Sequence, residues 1–184
     1  MGEGKYLLTG PPGSGKSTVM SKCVEQLRTF SITVGGISTP EILRDGRRVG
    51  FSVIDIALGR RGILAGTNVT SRFRVGRYGV DVKVFESVAL PALDYADREC
   101  DVLCVDEIGS MELFSHSFRR RLELLLLGDK PMIAVVHRDY VESYRSFGEL
   151  FYISRKNREL IPMRIVDGIK RILEERRTRN LRLG

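Results

Sequence analysis

The chain has 184 residues, 42% of them hydrophobic and 29% charged, and its formal net charge is +7. This length suits one domain with a sizeable core, and no apolar run is long enough to span a bilayer, which excludes a membrane-embedded protein. Neither an internal repeat nor a low-complexity segment is visible, which excludes repeat architectures. Because the first residues lead directly into a predicted strand, we expect no signal peptide and a cytoplasmic location.

A glycine-rich motif lies between a predicted strand and a predicted helix near the start of the chain. Residues 10–17 fit the pattern Gly, four residues, Gly, Lys, Ser or Thr, which is that of a phosphate-binding loop, or Walker A motif. Lys5–Thr9 before it predict a short buried strand. Apolar residues from Val19 onward recur at helical spacing and predict a helix to about Thr29. Strand, glycine loop and helix is the context that this motif requires.

Each residue type in the motif has a chemical reason. The glycines let the backbone curl around a phosphate group without Cβ clashes, with N–H groups pointing inward at a helix N-terminus. Lys16 is expected to reach the β- and γ-phosphates, and the Ser17 hydroxyl to bind Mg²⁺. The predicted nucleotide-binding residues of this segment are Gly10, Pro11, Pro12, Gly13, Ser14, Gly15, Lys16, Ser17 and Thr18.

Residues 39–84 do not follow the pattern of a plain crossover between parallel strands. Asp45-Gly46 is a hairpin-turn dipeptide, and apolar residues alternate at 49, 51 and 53 and again from Tyr78 to Val84. Residues 63–77 between these runs are interpreted as a loop. We therefore expect an inserted, arginine-rich β-hairpin segment near the nucleotide. A helix over 85–97 should follow, kinked or broken at Pro91.

An apolar run that ends in two acidic residues is the second decisive stretch. Residues 101–107 predict a buried strand of the Walker B type. Asp106 at its end is expected to hold Mg²⁺, directly or through water, and Glu107 to orient or deprotonate an attacking water. The three cysteines, Cys23, Cys100 and Cys104, lack the spacing of a zinc site and are interpreted as reduced thiols in or near the core.

The second half of the chain predicts further α/β elements. We expect helices over 112–127, over 139–147 and after Pro162, and strands over 132–136 and 150–153. The arginines at 119–121 should be solvated. His137 ends a strand, so it either senses the γ-phosphate or is an ordinary loop histidine. The loop after the last strand should face the same ligand edge of the sheet.

The C-terminal end of the chain carries much of the excess charge, with six basic and two acidic residues from Lys170 onward. We interpret residues 178–184 as a solvated basic tail. Contact between this end and nucleic acid is the less favoured alternative, because no aromatic residue interleaves the basic ones.

Nearly the whole chain resembles the cancer-related nucleoside-triphosphatase family, which is also known from thermophilic microbes and belongs to the P-loop superfamily. The most specific run is Asp-Glu-Ile-Gly at 106–109, followed by Met-Glu-Leu-Phe-Ser at 111–115. Departures are Ser110, where Lys is common, and Pro40, where an acidic residue is common. Other stretches that carry the resemblance are residues 8–17, 35–39, 41–44, 46–51, 74–78, 85–86, 90–93 and 157–158.

The resemblance implies a fold and an activity. The expected fold is α/β: a three-layer P-loop NTPase with a central, mostly parallel sheet, helices on both faces and the inserted β-hairpin segment over 39–84, all in a single domain over 1–184. The implied activity is slow, Mg²⁺-dependent hydrolysis of several nucleoside triphosphates. By resemblance, the second nucleotide-binding stretch comprises Leu103, Cys104, Val105, Asp106, Glu107, Ile108, Gly109 and Ser110.

Three functions stay open at this point: a nucleoside-triphosphate hydrolase, a nucleotide or small-molecule kinase, and a nucleic-acid-stimulated ATPase. A glutamate beside the Mg²⁺ aspartate favours the hydrolase, because it suits activation of water. The loop from Ser154 to Arg158 is the predicted base contact, with little selectivity among bases, and Asn157 and Arg158 are its predicted nucleotide-binding residues. Arg44 and Arg74, with Arg61 behind them, are candidates for a transition-state arginine. The oligomeric state stays open.

Overall fold

The computed structural model describes residues 4–183, which form one mixed sheet with helices on both faces. The strands are β1 (Lys5–Thr9), β2 (Val34–Ser38), β3 (Glu41–Arg44), β4 (Arg47–Asp55), β5 (Arg61–Gly66), β6 (Arg74–Val75), β7 (Tyr78–Val80), β8 (Val102–Ile108), β9 (Met132–Val136) and β10 (Glu149–Tyr152). The helices are α1 (Lys16–Thr29), α2 (Val82–Glu99), α3 (His116–Leu127), α4 (Val141–Tyr144) and α5 (Ile161–Leu183).

The centre of the sheet is parallel, in the order β10-β1-β9-β8-β2. Strands β1 and β9 are buried along their whole length, as expected for parallel strands that are covered on both faces. In the register, Leu8 of β1 and Asp106 of β8 both stand opposite Val135 of β9. The carboxyl ends of β1 and β8 therefore meet at one edge of the sheet, one strand apart.

Two apolar layers separate the sheet from its helices. On one face α1 and α5 cover the sheet with buried residues such as Leu27 and Ile165. On the other face α2 and α3 do so, and the rings of Phe85 and Phe118 meet edge to face with their centroids 5.1 Å apart. These layers confirm the predicted three-layer α/β fold. No helix within the described residues is long and apolar enough to cross a membrane.

The inserted segment extends the same sheet. Strand β4 pairs antiparallel with β2, and β5, β7 and β6 follow in that order, while β3 pairs with the other part of β4. The sheet as a whole is therefore mixed. The predicted two-residue turn is confirmed, because Asp45 and Gly46 both have positive φ, at 50° and 72°.

Two predictions within this segment were wrong. Residues 63–77, predicted as a loop, contribute most of β5 and all of β6, because their pairing partners lie elsewhere in the insertion. The strand predicted to run to Val84 ends at Val80. Asp81 then caps α2, since its carboxylate accepts a hydrogen bond from the Val84 backbone N–H at 3.0 Å.

The helical predictions also need corrections. The helix predicted to begin at residue 85 begins at Val82 and runs through Pro91 without a break, because apolar residues on both sides of the proline hold it against the sheet. The helix predicted to begin at 112 begins at His116, after a 3₁₀ turn and a Ser115 cap. Arg121, predicted to be solvated, is mostly buried and pairs with two carboxylates of α2.

Other boundaries differ by a few residues. Strand β2, which the sequence predicts over 31–37, begins at Val34, because Ser31 has a positive φ of 56° and ends the turn after α1. The helix predicted over 139–147 is a 3₁₀ turn, the short α4 and a second 3₁₀ turn. The basic segment 178–184, predicted as a tail, continues α5 as far as Leu183, and residue 184 lies outside the described residues.

Candidate active site

The phosphate loop connects β1 to α1 at the edge where the parallel strands end. Gly10, Gly13 and Gly15 have φ values of 149°, 73° and 99°, as predicted for a loop that curls back on itself. A Cβ added to Gly10 would lie 2.5 Å from the Ile153 carbonyl oxygen, so only glycine fits there. The loop therefore presents its backbone and the start of α1 to the edge of the sheet, the arrangement that binds phosphate.

Lys16 lies over the loop. Its Nζ donates hydrogen bonds to the carbonyl oxygens of Gly10 at 3.1 Å and Pro11 at 3.3 Å. These carbonyls are replaceable partners, because phosphate oxygens offer the ammonium group charge-assisted hydrogen bonds. The positive charge of Lys16 also acts on the carboxyl groups of Asp106 and Glu107. The loop lysine and the two acidic residues of β8 therefore share one site.

Asp106 and Ser17 form an oxygen-lined pair at this site. Burial raises the pKa of Asp106 to about 6 and Glu107 adds to the rise, while a hydrogen bond with the Ser17 hydroxyl and the charge of Lys16 oppose it. A carboxylate and a hydroxyl are ligands that suit Mg²⁺. Within residues 4–183 no group of three or more His, Cys, Asp or Glu could hold a metal, so an ion here would need phosphate and water oxygens as well.

Glu107 follows Asp106 and also faces the site. Burial raises the pKa of its carboxyl group, and Lys16 opposes the rise. The Glu107 backbone N–H donates a hydrogen bond to the Thr39 hydroxyl at 3.1 Å, and that hydroxyl donates to the Asp106 carbonyl oxygen at 2.9 Å. Thr39 therefore holds the backbone of both acidic residues at the end of β8.

Unpaired polar atoms gather around this edge. Thr9 Oγ1, Ser14 Oγ and Glu107 Oε1 are buried and make no hydrogen bond within the described residues. Buried polar groups are nearly always paired, so three such atoms beside one loop indicate a polar ligand site. Thr9 lies at the end of β1, Ser14 in the phosphate loop and Glu107 at the end of β8. These three segments border the space above the loop.

The chain has close relatives of known family. A family model described as NTPase matches residues 5–166. The chain belongs to this NTPase family. The nucleoside-triphosphatase THEP1 of Methanothermobacter thermautotrophicus is 44% identical over 165 residues, covering 89% of this chain and 94% of the relative. That of Pyrococcus abyssi is 38% identical over 169 residues, covering 92% and 94%.

Solved structures of the NTPase family show the same fold. The crystal structure of THEP1 from Aquifex aeolicus has a TM-score of 0.78 at 33% identity, covering 89% of this chain and 97% of that one. The solution structure of a human cancer-related nucleoside triphosphatase has a TM-score of 0.73 at 31% identity, covering 89% and 95%.

Glu112 is a site residue that the sequence reasoning missed. Burial raises its pKa to about 8; Glu107 and Asp106 add to the rise, and hydrogen bonds with its own backbone and with Thr39 oppose it. A Cβ added to Gly109 would lie 3.1 Å from Glu112 Oε2 and 3.8 Å from Glu107 Cδ, so the two carboxyl groups face the same gap. The only signal was its place in the Met-Glu-Leu-Phe-Ser run, which carried no role.

The remaining residues of the second nucleotide-binding stretch divide into two sets. Gly109 and Ser110 follow the strand at the edge, and the Ser110 hydroxyl lies 3.0 Å from the Tyr140 hydroxyl. The side chains of the other set are buried in the two apolar layers, where they pack the sheet: Leu103, Cys104, Val105 and Ile108. All three cysteines of the chain are free and buried, as expected.

The predicted arginine candidates lie on the insertion. Arg44 ends β3 at the hairpin turn and Arg61 begins β5, and both are exposed. Arg74 donates to the Arg77 carbonyl oxygen at 3.0 Å and lines a cavity of about 420 Å³ beside Ser110. Within residues 4–183, no hydrogen bond or ion pair joins Arg44, Arg61 or Arg74 to the phosphate loop or to Glu107.

The two predicted base contacts occupy different positions. The Asn157 side chain accepts from the Ser154 N–H and donates to the Tyr152 carbonyl oxygen, both at 2.8 Å, so it holds the turn after β10. Arg158 lies against Gly15 of the phosphate loop. His137 Nδ1 accepts from the Asp139 N–H at 3.3 Å and caps a 3₁₀ turn, which is the ordinary role considered for it.

Proposed function

We propose that this protein hydrolyses nucleoside triphosphates to the diphosphate and phosphate, with Mg²⁺ as cofactor. The observation that carries the proposal is the meeting of the phosphate loop, the Asp106–Ser17 pair and the buried Glu107 carboxylate at one edge of the sheet. The relatives that carry the name nucleoside-triphosphatase support the reaction class.

Binding would use the loop and the start of α1. N–H groups of the loop and of the start of α1 would donate to phosphate oxygens, and Lys16 would exchange its two carbonyl partners for the β- and γ-phosphates. Because these contacts recognise phosphate, the triphosphate rather than the base should determine affinity. We therefore propose broad tolerance of ATP, GTP, CTP and UTP.

Ser17 and Asp106 are the residues that would hold the metal. Bound there, Mg²⁺ would neutralise charge that develops on the β- and γ-oxygens. The Ser17 hydroxyl acts on the pKa of the Asp106 carboxyl group, which supports the assignment of both residues to one metal site.

Glu107 would activate the water. Its carboxylate is buried, its pKa is raised, and Oε1 has no hydrogen-bond partner within the described residues, so it is free to accept a proton from a water molecule. The positive charge of Lys16 opposes the rise in the pKa of this carboxyl group. Thr39 fixes the backbone on which this side chain stands.

Phosphate release from each of the four common nucleotides, with and without Mg²⁺, tests this function. We expect release that requires Mg²⁺, with rates for the four bases within about tenfold, or about 1.4 kcal/mol of discrimination. A hundredfold preference for one base would contradict the broad tolerance. Release without any acceptor, unchanged by RNA or DNA, separates a hydrolase from a kinase and from a nucleic-acid-stimulated ATPase.

A further inference from the structure

The loop after β10 is attached to the phosphate loop. The Ile153 backbone N–H donates a hydrogen bond to the Thr9 carbonyl oxygen at 2.7 Å. A Cβ added to Gly10 would lie only 2.5 Å from the Ile153 carbonyl oxygen. The two loops therefore approach each other as closely as a glycine permits. Residues just after Ile153 are placed beside the nucleotide site by this contact.

The turn that follows is held in one conformation. Asn157 bonds through its side chain to Ser154 and Tyr152, and the Arg158 backbone N–H donates to the Ser154 carbonyl oxygen at 3.1 Å. Glu159 pairs with Lys22 of α1, which ties the end of the turn to the helix that follows the phosphate loop. The backbone at Arg158 is therefore held by contacts on both sides of it.

Arg158 lies directly against the phosphate loop. A Cβ added to Gly15 would stand 3.1 Å from Arg158 Cδ and 3.6 Å from Arg158 Nη1. Arg158 Nε is buried and makes no hydrogen bond within the described residues, although it lies 3.5 Å from a Glu159 carboxylate oxygen. The Arg158 side chain as a whole is 39% exposed, and its buried Nε without a hydrogen bond, at the edge of an anion site, indicates a ligand group that completes it.

The charges of the site divide it into two ends. Lys16 acts on the carboxyl groups of Asp106 and Glu107. Arg158 instead stands at Gly15, and Thr18 Cβ lies 4.0 Å from the same added Cβ. Lys16 therefore marks the γ-phosphate end, and Arg158 the opposite end, at the first turn of α1.

We propose that Arg158 binds the phosphate chain of the nucleotide on the side that leaves as diphosphate, and not the base. This inference rests on the proposed nucleoside-triphosphate site. The guanidinium fork donates two parallel hydrogen bonds to phosphate oxygens, which a base-stacking arginine does not require. On this side it also faces the charge that moves to the leaving oxygen during phosphoryl transfer.

Ligands with and without a base test the proposal. Dissociation constants of Mg²⁺-tripolyphosphate, ADP and UDP are measured by calorimetry for the wild type, Arg158→Ala and Arg158→Gln. We expect all three ligands to bind about tenfold to a hundredfold more weakly to both variants, by a similar factor, as for loss of a charge-assisted contact. Arg158→Gln keeps much of the side-chain volume, so it separates lost charge from lost packing.

Arg155→Ala is the matched control. Arg155 is exposed in the same turn and makes no hydrogen bond or ion pair within the described residues, so it changes the net charge without removing a contact. Unchanged tripolyphosphate binding, or a larger loss for ADP than for UDP, would assign Arg158 to the base and overturn the proposal. So would equal weakening by Arg155→Ala, which would indicate long-range charge alone. The binding measurements do not depend on catalysis. If the wild-type protein binds these ligands but releases no phosphate from nucleoside triphosphates, the proposed hydrolysis is wrong and the inference about Arg158 still holds.

Discussion

Replacement of Glu107 by glutamine is the sharpest test of the chemistry. The substitution keeps the shape of the side chain and removes the base. Its backbone hydrogen bond to Thr39 remains, and Oε1 has no partner within the described residues to lose, so the fold should be undisturbed. Loss of a general base lowers rates on the order of 10²–10⁴-fold, or about 2.7–5.5 kcal/mol of activation free energy.

The assay measures phosphate release at saturating Mg²⁺-ATP, together with ATP affinity by calorimetry. We expect the rate to fall by that factor while affinity stays within a few-fold, because the loop and Lys16 are intact. Glu142→Gln makes the same chemical change on an exposed carboxylate and serves as the control. If Glu107→Gln protein binds ATP and still releases phosphate within threefold of the wild-type rate, Glu107 does not activate the water.

Two further predictions concern the buried acid and the arginines. The pKa of Glu112 is raised to about 8 in the folded state, so between about pH 4.5 and 8 the folded protein binds more protons at this group than the unfolded chain does. The free energy of unfolding therefore falls as pH rises through this window, by at most about 1.4 kcal/mol per pH unit for this one group. Glu112→Gln should remove that slope in urea unfolding at a series of pH values; an unchanged slope would show that Glu112 titrates normally. Alanine at Arg44, Arg61 or Arg74 tests for a transition-state arginine on the insertion: one of the three should lower the single-turnover rate at least tenfold with affinity nearly unchanged. If none does, the insertion supplies no such group.

Much of the site was predictable because its chemistry is local in sequence. The spacing of residues 10–17 sets the backbone conformation and the start of α1, and both are observed. The Asp-Glu pair could be placed because a strand that ends in two carboxylates has one arrangement beside a phosphate loop. Elements with a strong local signal, such as the Asp45-Gly46 turn, were confirmed for the same reason.

Predictions failed where pairing partners or packing decide. Residues 63–77 carry no strong strand pattern, yet β5 forms because β4 and β7 offer it hydrogen bonds on both edges. Val82 and Val84 alternate as in a strand, but the Asp81 cap and the apolar face of α2 make them helical. Pro91 was predicted to kink its helix or divide it in two; the division is wrong, because one helix runs from Val82 to Glu99 and packs on both sides of the proline.

The sequence by itself determined the phosphate loop, the buried strand that carries Asp106 and Glu107, and the alternation of strands and helices. Only the tertiary structure decided which distant residues join them. Glu112 becomes a site residue because the 3₁₀ turn after β8 folds its carboxyl group under Gly109, and Arg158 because β10 pairs with β1 and brings its loop against Gly15. The physical reason is that the burial of Glu112 depends on how the turn after β8 packs, and the pairing of β10 with β1 joins segments more than a hundred residues apart; local spacing records neither.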